Sequence, residues 1–278
     1  MPGLKSLGRI LFGMFVVAWS LGPIYWAVKV SLTTRAGLQR VPPSVIPDPL
    51  TFDHYAQLFR PSGDSSGVFF LALRNSMIQA GGATIITVAV ALLGGYAFAR
   101  WTFVGSRVMF LTIIGTLSVP LLAVLLPIFR MTAKLGLMDT HTPIIVLGLT
   151  TSLPIAIWIM RSFVAALPAD IESAARLDGA NEARILWNVI LPLLRPAITA
   201  VGIIVFLTAW SAFLAPLLFS QSPGSQPLTV LIPNFVTKNS VDLGLQAAAG
   251  CMAILPPILL ILGLHRFLVS GLLQGAIK

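Results

Sequence analysis

The sequence predicts an all-α membrane protein with six transmembrane helices, and three observations carry that expectation. The chain is 56% hydrophobic and 10% charged, with a mean hydropathy of +0.92, well outside soluble composition. Its apolar runs are continuous and do not alternate with polar residues, which argues against the strands of a membrane barrel. A bilayer core about 30 Å thick takes about 20 helical residues per crossing. The 278 residues therefore hold six crossings with their loops, as one transmembrane domain over 1–278.

The first apolar run covers residues 8–30, behind Lys5 and Arg9. It is longer than a secretory signal core and has no convincing cleavage site, so it is expected to remain as an uncleaved span. Residues 31–67 are polar and rich in Pro and Gly (Pro42-Pro43, Pro47, Pro49, Pro61, then SGDSSG), which marks a loop. Within it, Thr51 offers a cap to a short surface helix ending near Phe59. The second span, 69–98, carries Gly81-Gly82 and Gly94-Gly95, suited to close helix contact, and ends at Arg100 before a turn with Gly105 and Arg107. The third, 108–129, contains Pro120 and Pro127; each proline frees a carbonyl, so a kinked helix inside the bundle or beside a cavity is expected.

A brief connection over 130–142 leads to the fourth span, 143–165, interrupted by Pro154. The fifth span, 196–219, follows Arg195-Pro196; a second sizeable loop covers 220–243, and the sixth span takes 244–268 with Pro256-Pro257. Between the fourth and fifth spans lies 166–195, the one long charged stretch. Asp170, Glu172, Arg176, Asp178, Glu182 and Arg184 would each cost about 2.5–3.5 kcal/mol at mid-bilayer, so the stretch belongs in water or against protein. Its punctuation predicts two short helices. Pro168 suits a first turn, Asp170 and Glu172 suit the positive end of a helix dipole, and Gly179 suits a left-handed stop. Asn181 then caps a second helix running through Trp187 towards Pro192. On the first helix Ile171, Ala174, Ala175 and Asp178 share a small, mostly apolar face that another backbone can approach closely. Read alone, the stretch also fits an interfacial helix that only joins two spans.

The run Ser173-Ala174-Ala175-x3-Gly179-x9-Val189-x-Leu191-Pro192 resembles the cytoplasmic coupling loop, or EAA loop, of ABC importer permeases, and Asp178-Gly179-Ala180 has the form common in the carbohydrate (maltose-type, second-permease) branch. Three other segments are similar to that branch: Thr51 to Phe59, the turn YAFARWTFVGSR at 96–107, and the ending Arg266-x4-Gly271-Leu272-x2-Gly275-Ala276-x-Lys278. One departure stands out. Ser173 occupies the place of the family's motif glutamate, and Glu172 lies one residue earlier. The resemblance implies the ABC importer permease (MetI-like) fold, with Glu172, Ser173, Ala174, Ala175, Asp178, Gly179, Ala180, Leu191 and Pro192 forming the surface that docks on an ATPase.

Other function classes find little support. Net charge is +9, but the basic residues are scattered through short loops and build no nucleic-acid surface; they fit orientation and lipid contacts. Cys251 is the single cysteine, so no intramolecular disulfide forms. No GxxxxGK[ST] loop occurs, and His54, His141 and His265 fall in separate segments with no ligand-like spacing. No catalytic or metal site is expected. The span interiors are almost free of ionisable residues, which argues against an ion-coupled carrier working alone. That carrier remains an alternative, as does an ABC permease for a polyamine or glycerol phosphate.

For the translocation path the candidates are Thr208, Trp210, Ser211 and Phe213, because aromatic faces beside hydroxyls suit sugars. Family members often carry Trp-Asn-Asp-Phe here, and this chain has lost both polar groups of that pattern; aromatic packing at a helix crossing is the competing reading for Trp210. The resemblance implies a multi-pass permease of the bacterial inner membrane, with both termini cytoplasmic. The implied partners are a second homologous permease, two ATPase subunits that hold ATP and Mg, and an external sugar-binding protein. Ten of the 18 Lys and Arg residues fall in the inner loops so assigned and eight in the outer, a small positive-inside excess, so the orientation leans on the resemblance.

Overall fold

The computed structural model describes residues 4–60, 64–235 and 242–275, and these are almost entirely helical. Among them there is no strand; one isolated antiparallel bridge joins Thr33 to Leu50. The helices are α1 (Leu4–Ser31), α2 (Arg35–Leu38), α3 (Asp53–Phe59), α4 (Asp64–Arg100), α5 (Ser106–Gly115), α6 (Leu121–Lys134), α7 (Thr142–Ala166), α8 (Ala169–Leu177), α9 (Glu182–Ile185), α10 (Leu191–Leu193), α11 (Arg195–Trp210), α12 (Leu214–Phe219), α13 (Leu228–Leu231) and α14 (Leu243–Gly275). Ala276 and Lys278 of the C-terminal motif lie outside the described residues, as do the side chain of Arg266, the tip of the loop at 61–63 and residues 236–241.

Four helical segments are long and apolar enough to cross a membrane: Gly8–Ser31, Gly67–Arg100, Thr142–Ala166 and Leu243–His265. Two bent pairs can raise the number to six. Where a continuous third span was expected, α5 with a short 3-10 turn (Thr116–Ser118) meets α6 at 95°. Proline is the cause. Pro120 has no N–H for the Thr116 carbonyl, and that carbonyl accepts instead from Val119 N at 3.1 Å, closing a tight turn.

The expected fifth span is also two helices. α11 stops at Trp210 and, at 16 residues, is about 24 Å long, shorter than the bilayer core. Pro216 cannot donate to the Ala212 carbonyl four residues back, so that carbonyl takes the Thr229 hydroxyl at 2.8 Å. The break is thereby satisfied by a side chain, as a non-helical backbone at membrane depth requires.

The chain divides into two compact units. The first comprises Met1–Leu71 with Val230–Leu255. There the Ser31 hydroxyl and Tyr55 hydroxyl are 2.8 Å apart, and the buried His54 places Nδ1 3.0 Å from the Ser31 carbonyl. Gly244 faces the His54 ring so closely that a Cβ would stand 2.2 Å from Nε2.

The second unit, Ala72–Thr229 with Pro256–Lys278, is built on α7. Its core gathers Leu92 and Tyr96 of α4, Ile157, Met160 and Val164 of α7, Ile185 of α9, Ile190 and Leu194 near α10, and Val201 and Val205 of α11. The helices α4 and α7 run parallel, since Gly82 meets Ile145 and Gly94 meets Ile157. At Gly95 the two backbones touch, which only a residue without a side chain permits.

Candidate functional site

The charged stretch between α7 and α11 forms a two-helix hook whose ends are fixed by local chemistry. Pro168 lies at the N-cap of α8 and not within its first turn. At the far end Gly179 adopts φ +81, and two bonds close the helix: Ala180 N to Ala175 O at 3.0 Å, and Gly179 N to Arg176 O at 3.0 Å. This pair is the Schellman motif, which turns the chain sharply and satisfies the last carbonyls. Ala175 and Ala180 both pack on the core, as the motif's accompanying apolar contact requires. Asn181 then caps α9, its Oδ1 accepting from Arg184 N at 2.9 Å. A π-helical turn over Leu186–Ile190 follows, and Leu191 and Pro192 begin α10.

Burial sorts the predicted residues of the hook into two faces. Ile171, Ser173, Ala174 and Asp178 are exposed, as are Gly179 and Pro192. Leu177 is 90% exposed. Ala175 leaves the face expected for it and turns inward with Ala180 and Leu191. Glu172 is 2% exposed. Its carboxylate accepts from Arg100 Nε at 2.5 Å and Tyr96 Oη at 3.3 Å, with Arg176 Nη2 at 3.7 Å. Tyr96 also reaches Glu182 Oε2 at 3.3 Å, and Arg176 Nε donates to Glu182 Oε1 at 2.9 Å. Glu172 thus faces its own chain, while on the exposed side Ser173 donates to the Ala169 carbonyl at 3.2 Å.

A second feature is a cavity of about 310 Å³ lined by Gln79 of α4, Leu121 of α6, Ile144, Leu147, Gly148 and Thr151 of α7, and Thr208, Ala209, Ala212 and Phe213 at the α11 break. Of the four residues expected on the path, Thr208 and Phe213 line it. Trp210 does not; it stacks on Phe206 with ring centres 5.4 Å apart. Ser211 donates to the Leu207 carbonyl at 2.9 Å, which serves the helix end. Gln79 and Thr151 were not anticipated. The signal for Gln79 was present in Asn75, Ser76 and Gln79, polar residues on one face of an otherwise apolar helix.

Those three side chains hold the loop after α12. Asn75 Nδ2 donates to the carbonyls of Pro223 and Gln226 at 3.0 Å each, Ser76 Oγ accepts from Leu228 N at 2.8 Å, and Gln79 Nε2 donates to Ser225 O at 2.7 Å. Asp139, at φ +61 in the turn before α7, clasps the same loop. Its carboxylate accepts from Gln221 N at 2.8 Å, from Ser222 N at 2.9 Å and from the Ser225 hydroxyl. Burial pushes this carboxyl upward, but the hydrogen bonds from Ser222, Ser225 and Gln221 outweigh it and hold the group well below the usual carboxylate range. With its folded value depressed, the carboxylate's contribution is complete above the unfolded value of about 3.9 and is lost only as pH falls through the lower folded value. Amide exchange at Gln221 and Ser222 is therefore expected to show protection that is flat from about pH 5 to 8 after correction for intrinsic rates, and to speed up about tenfold or more in Asp139→Ala.

The model of the family "binding-protein-dependent transport system inner membrane component" matches residues 88–274, which include the hook and most of the cavity wall. The chain belongs to this family. The permease is 34% identical over 226 residues to the osmoprotective compounds uptake permease protein GgtD of Synechocystis sp., covering 81% of this chain and 74% of that one. It is 31% identical over 265 residues to the trehalose transport system permease protein SugB of Mycobacterium tuberculosis, covering 95% and 94%. Its fold matches a chain of a solved bacterial ABC transporter involved in importing the acidic polysaccharide alginate, with a TM-score of 0.78 over 99% of the permease and 96% of that chain at 21% identity. The permease therefore has the all-α, MetI-like fold of ABC importer permeases and is an inner-membrane transport component.

Proposed function

We propose that the permease is a membrane-spanning subunit of an ATP-driven importer of a sugar or oligosaccharide, and that the hook α8–α10 receives force from a separate ATPase. The observation that carries this reading is the exposed face of Ile171, Ala174 and Leu177, an apolar patch on a helix that the Schellman turn and the Glu172 ion pairs hold rigid. A water-exposed Leu177 on so short a helix is matched by an apolar groove on a partner. In this reading two ATPase subunits hold ATP and Mg, a second homologous permease completes the pore, and an external binding protein delivers the solute. Both termini lie in the cytoplasm.

The substrate class rests on the relative of the trehalose transport system and on the cavity's chemistry. Gln79, Thr151 and Thr208 offer uncharged hydrogen-bonding groups beside the Phe213 ring, and among the described residues no charged side chain lines the cavity. A polyhydroxylated solute is served by hydroxyls and an aromatic face, whereas a polyamine or a glycerol phosphate asks for opposite charge. The transport cycle is alternating access. The loaded binding protein docks outside, ATP closes the ATPases, the hooks move together, and the bundle opens outward. Purification of the permease from its native membrane tests this. Two ATPase subunits are expected to co-purify, with ATP turnover stimulated by a binding protein carrying its sugar; permease that transports sugar alone, without an ATPase, contradicts it.

A further inference from the structure

We propose that Arg100 is a positioning residue that ties the hook to the end of α4, so that α4 moves with α8 during each cycle. The inference rests on the function proposed above and names a part of the force path that lies outside the exposed docking surface. Arg100 is the last residue of α4, and its side chain is 14% exposed. One guanidinium holds two elements at once: Nε donates to Glu172 of α8 at 2.5 Å, and Nη2 donates to the Leu167 carbonyl, at the C-cap of α7, at 2.9 Å. Tyr96, one turn earlier on the same face, presents its hydroxyl to Glu172 and Glu182 together. A hydroxyl has one hydrogen to share between these two carboxylates, each at 3.3 Å, so the shorter ion pairs carry the tie. Arg176 closes the cluster by bridging Glu182 and Glu172. Two acids and two bases balance, and each carboxylate has a partner.

The placement distinguishes a force path from a packing contact. Arg176 and Glu182 reach the surface of the hook, but Arg100 and Glu172 do not, and Glu172 is buried where Leu177 and Ser173 are exposed. A push on the exposed face thus reaches α4 through Arg100 as well as α7 through the chain at Pro168. Only arginine spans both acceptors, because its planar fork carries donors in fixed, divergent directions, while lysine offers one point charge.

The test uses the complete transporter in proteoliposomes and measures sugar carried per ATP hydrolysed, alongside the amount of ATPase that co-purifies. Arg100→Gln is expected to retain the ATPases and basal ATP turnover within about twofold while sugar per ATP falls about tenfold, within the range of couplings between distant sites. Arg100→Lys should fall between the two. The exchange of charges, Arg100→Glu with Glu172→Arg, should recover at least half of the lost coupling. Unchanged sugar per ATP in Arg100→Gln overturns the proposal. So does a loss that merely follows lost ATPase or lost folded protein, and so does a charge exchange that restores nothing. Should the native chain bring down no ATPase, the proposed function fails first, which separates the two failures.

Discussion

Gly179→Val should abolish most sugar uptake while leaving the amount of permease in the membrane near the native level. The backbone there sits at φ +81, where an L residue costs about 1–2 kcal/mol and a β-branched one more. An added Cβ would meet nothing within 4 Å, so the penalty is conformational and not a clash. The cheapest relief is to give up the left-handed turn. That removes the Ala180 to Ala175 and Gly179 to Arg176 bonds, lets the last turn of α8 unwind, and re-aims Leu177. Since 1.4 kcal/mol is a factor of ten, uptake is expected to fall at least about tenfold. Gly179→Asn, which tolerates the left-handed region, should lose much less. Uptake at the native level in Gly179→Val, at native abundance, would remove the turn from the coupling path.

The second large effect is expected at Gly95. A Cβ there would stand 2.8 Å from Arg161 N, 2.8 Å from Met160 Cβ and 3.0 Å from Met160 C, and the backbone of α7 cannot yield as a side chain can. Its neighbour is a built-in control, since a Cβ at Gly94 would meet only the end of Ile157 at 3.5 and 3.6 Å. Overpacking of this kind costs about 1–3 kcal/mol. Gly95→Leu should thus leave little monodisperse protein in detergent, Gly95→Ala should lower the inactivation temperature clearly, and Gly94→Ala should change it little. Equal tolerance at both positions would mean that α4 and α7 do not touch as described.

How far the fold was legible depended on sequence distance. Gly179 and Asn181 act within a few residues, and their stop and cap are where local chemistry puts them. The membrane class and the glycine-lined approach of α4 to another helix were equally plain, although the sequence could not name α7 as the neighbour or rank Gly95 above Gly94. Pro120 and Pro216 marked disturbances, but a 95° bend and a two-helix break depend on which groups rescue the freed carbonyls; the Thr229 hydroxyl does so from 17 residues away.

The site was harder to read where its partners are remote. Glu172 and Arg100 are 72 residues apart and Asp139 reaches residues more than 80 positions on, and nothing in either local pattern announces the other. Ala175 was assigned to the exposed face by helical spacing alone. It turns inward because the Schellman turn packs it with Ala180 on the core. Trp210, for which packing at a helix crossing was the competing reading, stacks on Phe206, while Gln79 and Thr151 became visible as cavity residues only once α4 and α7 lay side by side.

The central claim is that the exposed face of the hook meets an ATPase. Photo-crosslinking from position 177, with a benzoylphenylalanine in place of Leu177 in the intact transporter, tests it most directly. A crosslink to the ATPase subunit, absent when the same probe replaces the buried Ile190, is the predicted result. A crosslink only to lipid or to an external protein would contradict the account.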